Sequence, residues 1–297
     1  THPRSSAASD VYKRQFYTIG QLAHLIRTRQ ISSLELTNMY LSRLERFGPQ
    51  LECVITLTRE LAIEQAKRAD ELIKNGKYLG PLHGIPYGAK DLLAVEGYKT
   101  TWGAMTHKDQ FIESTATVIK KLEEAGAVLL AKLTLGALAW GDNWYGGKTR
   151  NPWNTELGSS GSSAGPGSAT SAGLVAFSIG SETWGSIVSP STVNGVTGLR
   201  PTFGTVSKSG AMALSWSMDK IGPMCRSVDD CALVYSMIKG TDRKDHSVVD
   251  APFQVPVKKE LKSLRIGFVE SAFNDSTTSD NDRNVVDRLR KLGFTMV

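Results

Sequence analysis

The chain has 297 residues, 40% of them hydrophobic and 22% charged, with a formal net charge of +6. This balance excludes a disordered or fibrous chain and fits a soluble globular protein with one large core or two modest ones. The first fifteen residues, Thr1 to Gln15, show no apolar periodicity and read as a cloning or sequencing scar; they set Arg4, Lys13 and Arg14 against Asp10, so the remainder carries +4, a solvated basic face rather than a nucleic-acid footprint. Cys53, Cys225 and Cys231 are odd in number and form no CxxC pair, against a disulfide framework or a structural zinc site. A reducing compartment is expected. No apolar run approaches the roughly 18 residues that a membrane helix needs, and no signal sequence follows the scar, which makes the cytoplasm the default location.

In chain order, Thr18 caps a first short helix. Ser32 and Glu35 form a capping box for a second, whose apolar positions Leu36, Met39, Tyr40, Leu44 and Phe47 recur at helical spacing. A third helix, Arg59 to Asn75, is rich in Ala, Glu, Lys and Leu and stops at Gly76. From Gly80 to Asp91 two prolines and three glycines exclude a regular helix and favour an extended segment. Thr115 to Ala125 reads as helix and Ala127 to Lys132 as a short buried strand, and this alternation predicts an α/β sheet. Asn151 to Gly158 reads as loop. Ala164 to Leu174 is small or apolar throughout and uncharged, which predicts a helix packed tightly against the sheet. Near the end, Leu264 to Val269 reads as strand, Asp280 to Leu292 as charged amphipathic helix and Gly293 to Val297 as the start of another strand. The chain is expected to stop inside a βαβ unit, as a C-terminally truncated domain.

The stretch from Gly158 to Gly198 is the most informative. Its serine, glycine and alanine density lets a hydroxyl sit beside exposed backbone N–H groups, the arrangement needed to attack an amide or ester carbonyl and hold the oxyanion. It contains Gly161-Ser162-Ser163-Ala164-Gly165 and Gly180-Ser181-Glu182-Thr183-Trp184-Gly185-Ser186-Ile187. No Gly-Lys-Ser/Thr follows, so it is not a phosphate cradle.

Together with Gly84-Ile85-Pro86-Tyr87-Gly88-Ala89-Lys90-Asp91 and Pro190, these runs resemble the amidase signature family in order and spacing, over roughly residues 16 to 297. The resemblance implies a mixed central β-sheet flanked by helices and a Ser–cis-Ser–Lys triad: Lys90 as base, Ser162 as bridging serine in a cis peptide and Ser186 as nucleophile. It implies no metal and no organic cofactor. The chemistry is coherent, because a serine hydroxyl needs a base and none of His2, His24, His83, His107 and His246 sits in a recognisable catalytic motif. Desolvation in a poorly charged segment lowers a lysine pKa, so Lys90 is expected to be neutral and to take the Ser186 proton through Ser162. The backbone N–H groups of Thr183, Trp184, Gly185 and Ser186 are the expected oxyanion donors. Each residue has a plainer reading as well: an ion pair for Lys90 and Asp91, helix packing for Ser162 and Ser163, a turn for Ser186.

Three features depart from the family pattern, which reads Asp-x-Gly-Gly-Ser-Ile-Arg where this chain has Glu182-Thr183-Trp184-Gly185-Ser186-Ile187-Val188. Trp184 stands in place of a glycine beside the nucleophile and is expected to narrow the pocket or reshape the oxyanion loop. Val188 stands where an arginine would brace the site. Ser160 and Ala164 replace glycines around the bridging serine. Trp102, Met105, Trp140 and Trp144 are candidates for an apolar wall. The substrate is expected to be a small-molecule amide, and the partner classes left open are a homo-oligomer or amidotransferase partner subunits, since the family includes the glutaminase component of tRNA-dependent amidotransferases. Two further readings compete: an α/β-hydrolase elbow on Gly161-Ser162-Ser163-Ala164-Gly165 with His246 as base, and an inactive scaffold.

Overall fold

A computed structural model describes residues 14–254, 263–276 and 278–297, in two units that meet in sequence between Ala251 and Pro252. Residues 1–13, and with them most of the segment read as a scar, lie outside the described residues; Arg14 and Gln15 begin a short 3₁₀ turn.

The first unit opens with α1 (Ile19–Arg27) and α2 (Ser33–Leu51), each started by a capping box, Thr18 with Gln21 and Ser32 with Glu35. After β1 (Val54–Leu57), α3 (Arg59–Lys74) packs its alanines Ala62, Ala66 and Ala69 inward. The Pro/Gly-rich segment resolves into β2 (Pro86–Lys90), buried along its whole length. There follow α4 (Thr117–Glu124), β3 (Val128–Leu133), α5 (Ala164–Ser171), β4 (Phe177–Glu182), α6 (Val188–Asn194), β5 (Thr197–Gly198), β6 (Lys220–Cys225) and α7 (Val228–Ile238).

The six strands form one mixed sheet in the order β1-β3-β2-β4-β6-β5. Its centre, β3-β2-β4, is parallel, and β1, β6 and β5 join antiparallel. Parallel strands need both faces covered, which explains why β2 and β3 are continuously buried rather than alternating. Tyr87 of β2 and Phe177 of β4 stack with centroids 5.2 Å apart, locking the two strands that end at the site described below.

Helix α5 lies against this centre. At Gly165 a side chain would meet Thr134 Oγ1 at 2.6 Å and the Cys53 carbonyl at 2.7 Å, so only glycine permits the helix to come so close. The segment read as loop before it forms instead a two-stranded ribbon, Arg150–Asn151 with Asn154–Gly158, exposed on its second strand; Asn151 turns the chain back by accepting from Trp153 N, and Asn154 accepts from Glu156 N at the start of the returning strand.

The second unit is a small parallel pair, β7 (Arg265–Ile266) with β8 (Thr295–Met296), joined through α8 (Glu270–Phe273) and α9 (Asp280–Lys291). The capping box of Ser279 and Asp282, acids in the first turn and Arg288, Arg290 and Lys291 in the last all favour α9 in the same direction. The β7 strand is shorter than the apolar run Leu264 to Val269 suggested. No helix among the described residues is long and apolar enough to cross a membrane.

Candidate active site

Lys90 is the last residue of β2 and Ser181 stands near the end of its parallel neighbour β4. Ligand sites of α/β sheets form at these carboxyl ends, where loops diverge. The Gly161–Ser162 peptide is cis, Ser163 precedes the first turn of α5, and Ser186 occupies the loop between β4 and α6.

The Lys90 side chain is fully buried among hydroxyls. Its Nζ donates to Ser162 Oγ at 2.7 Å, Ser163 Oγ at 3.1 Å, Ser181 Oγ at 3.0 Å and the Ser181 carbonyl at 3.3 Å. None of these neighbours is an anion. Burial therefore pushes the Lys90 pKa down to about 7, with the more distant carboxylates of Asp219 and Glu182 only partly resisting. The plainer reading of a Lys90–Asp91 pair fails, because Asp91 turns to Lys132 at 2.6 Å and accepts from Thr101 N and Thr101 Oγ1.

Ser186 shares one cleft with Ser162, Ser181 and Thr183, and its carbonyl accepts from Ser163 N at 3.1 Å, tying the two serine motifs together. Among the described residues its hydroxyl makes no hydrogen bond, so the structure joins Lys90 to Ser162 directly and places Ser186 beside them without a bonded relay. Gly185 has φ +90°, a conformation that glycine alone adopts without strain, and this turns the loop back at Ser186. Among the described residues the N–H groups of Thr183, Trp184 and Ser186 have no acceptor, while that of Gly185 leans on Glu182.

Glu182 and Ser181 are what sequence reasoning missed. Glu182 is buried, and its Oε2 accepts from Ile187 N at 2.8 Å and Val188 N at 2.9 Å, holding the loop closed from within. Burial pushes its pKa up, but the amides of Val188, Ile187 and Gly185 together with Arg200 win and hold it below the ordinary carboxylate range. Arg200 reaches Glu182 Oε1 at 3.2 Å, so a guanidinium braces the loop from position 200 although Val188 occupies the expected place. A strand with hydroxyls at its carboxyl end was the available signal for Ser181.

The aromatic candidates are displaced. Trp184 is 87% exposed and does not line the cleft, so it does not narrow it. Nor do Trp102, Met105, Trp140 and Trp144; Trp102 tilts against His107, and Trp144 against Tyr145. The apolar wall comes instead from Leu92, Met212, Leu214, Trp216 and Ile221. Ser163, the serine of the elbow reading, exchanges hydrogen bonds with the Ser181 backbone, and no hydrogen bond among the described residues joins it to His246. His83 is a core residue bonded to the Ala69 carbonyl at 2.9 Å and Leu79 N at 3.2 Å.

A family model described as Amidase matches residues 35–297. The chain belongs to the amidase family. Within it, the chain is 38% identical over 286 residues to a glutamyl-tRNA(Gln) amidotransferase subunit of Methylococcus capsulatus, covering 93% of this chain and 59% of that protein. It superposes on the peptide amidase of Stenotrophomonas maltophilia with a TM-score of 0.86 and 33% identity, covering 94% of this chain and 61% of that one. A fatty acid amide hydrolase, at 24% identity and TM-score 0.85, shares the fold. The chain thus spans about 60% of the length of the amidotransferase subunit and of the peptide amidase.

Proposed function

We propose that this chain carries the nucleophile, relay and base of an amidase that converts a carboxylic amide to acid plus ammonia or amine. The observation that carries this reading is a fully buried lysine with no anion adjacent to it among the described residues, 2.7 Å from Ser162, which lines the cleft that holds Ser186. A lysine so placed can be neutral near pH 7 and act as a base. Ser186 Oγ would form the bond to the carbonyl carbon as its proton passes to Ser162 and the Ser162 proton to Lys90. The oxyanion would be held by the N–H groups of Thr183, Trp184 and Ser186, with Gly185 shaping the loop. As the carbon–nitrogen bond breaks, Lys90 returns a proton through Ser162 to the leaving nitrogen. Water then attacks the acyl-enzyme by the same route, releasing acid and free Ser186. Cys53, Cys225 and Cys231, buried and free of disulfides, support a reducing, cytoplasmic setting.

The relative from Methylococcus capsulatus favours a second reading, in which the chain is a glutaminase working with amidotransferase partners. Labelling with a fluorophosphonate, location of the adduct by peptide mass spectrometry and a Lys90→Ala control test the common chemistry. Adduct on Ser186 that disappears in the control is expected. Adduct on Ser163 would revive the elbow reading, and no adduct on a folded protein would favour an inactive scaffold. Glutamine hydrolysis only with added partner subunits selects the second reading; hydrolysis of alkyl or aryl amides by the protein alone selects the first.

A further inference from the structure

Asp219 has no part in the chemistry above, yet it connects two segments that border the cleft. It immediately precedes β6, whose first residue Lys220 pairs with Glu182 at the end of β4, so the sheet register brings Asp219 towards Thr183. Asp219 Oδ1 accepts from Thr183 Oγ1 at 2.5 Å. Its Oδ2 accepts from Leu214 N at 2.7 Å and Ser215 N at 3.0 Å, and its own N–H donates to the Ser215 carbonyl at 2.9 Å. Lys220 Nζ then donates to the Thr183 carbonyl at 3.1 Å. Thr183, the first residue of the nucleophile loop, is thereby held by both its hydroxyl and its carbonyl. The same carboxylate closes the turn that presents Leu214 and Trp216 to the cleft.

Resting on the amidase reading, we propose that Asp219 is a positioning residue, which fixes the oxyanion loop through Thr183 and the Leu214–Trp216 wall through two backbone amides, so that both are aligned on Ser186. A carboxylate suits this task because one side chain accepts three donors, more than the single carbonyl oxygen of an amide satisfies well. Its charge has a second consequence. The anions facing Lys90 are Asp219 and Glu182, while Asp91 is engaged by Lys132; of the other cleft cations, Lys208 is engaged by Asp245 and Ser247, and Lys220 by Thr183. Neutralising Asp219 therefore removes support for the Lys90 ammonium and lets Lys90 lose its proton at lower pH.

The test compares Asp219→Asn, Thr183→Val and Thr183→Ser with the parent in the rate of fluorophosphonate labelling of Ser186 and in hydrolysis of benzamide and butyramide across pH. Asp219→Asn is expected to lower both rates by about 10²-fold and to move the acid limb of the pH profile to lower pH. Thr183→Val, which removes one bond without changing charge, is expected to lower kcat about 10-fold with the limb unmoved, and Thr183→Ser to restore it. Loss in Asp219→Asn that only follows its folded fraction, with the limb in place, overturns the proposal, as do parent-like rates in both Asp219→Asn and Thr183→Val. If Asp219→Asn does not fold, Thr183→Val and its rescue decide. A parent that is not labelled at Ser186 defeats the amidase reading itself, and this inference with it.

Discussion

Lys90 and Lys132 lie on adjacent strands, β2 and β3, and neither exposes any side-chain surface, yet they are built for opposite ends. Around Lys132 the fold places a carboxylate, Asp91 at 2.6 Å, with Thr100 Oγ1 at 3.1 Å and the Lys99 carbonyl at 3.0 Å. Around Lys90 it places three serine hydroxyls and a carbonyl. Burial lowers both pKa values, but Asp91 resists this at Lys132 by attraction at contact, whereas among the described residues the anions that act on Lys90, Asp219 and Glu182, make no contact with it. Burial alone does not make a base. The partner set decides whether a buried ammonium is a structural cation or a proton acceptor.

Removing the Lys90 amine tests its difference from Lys132 most severely. Lys90→Met should lower amide turnover by about 10⁴-fold or more while the protein still folds, measured by kinetics beside circular dichroism. The same variant has a signed consequence for stability. The folded-state pKa of Lys90 is below its unfolded value, so the unfolded chain binds more protons between about 7 and 10.5, and native stability rises with pH across that window. Lys90→Met should therefore gain on the parent most below pH 7, by at most about 5 kcal/mol, and lose that advantage by pH 10.5 in urea melts.

On the structural side, Lys132→Met leaves Asp91 charged and unpaired in the core. A loss of about 3–5 kcal/mol is expected, much of it recovered when Asp91→Asn is added, as denaturation midpoints would show. A smaller effect sharpens the contrast in solution: kcat/KM should climb as pH rises through about 7, where Lys90 loses its proton, and a flat profile from pH 5 to 9 would falsify Lys90 as the base. Ser181→Ala removes one acceptor of four and should cost about 10-fold in kcat. Smallest of all, Trp184→Gly should change activity less than about twofold, because that side chain projects into solvent.

Much of this was legible in one dimension because the signals are local. Capping boxes at Thr18 and Ser32, the apolar run at Val128 and the charge gradient of α9 each involve residues within a few positions of one another. The ribbon at Arg150–Gly158 carries no apolar alternation, and its turn rests on the Asn151 side chain, so no strand period marks it.

An α/β chain with a lysine in a Pro/Gly-rich extended segment and serines in a run of small residues can be read from the residues alone, because backbone preference and side-chain size act locally. Folding adds that β2 and β4 run side by side, that Asp91 turns to Lys132 and leaves Lys90 to the serines, and that Arg200 bonds Glu182 and Asp219 bonds Thr183 beside Ser186. Those facts depend on sheet order and strand register, which join residues up to 91 positions apart. Register is set by the burial of whole faces, and no short stretch of sequence contains it.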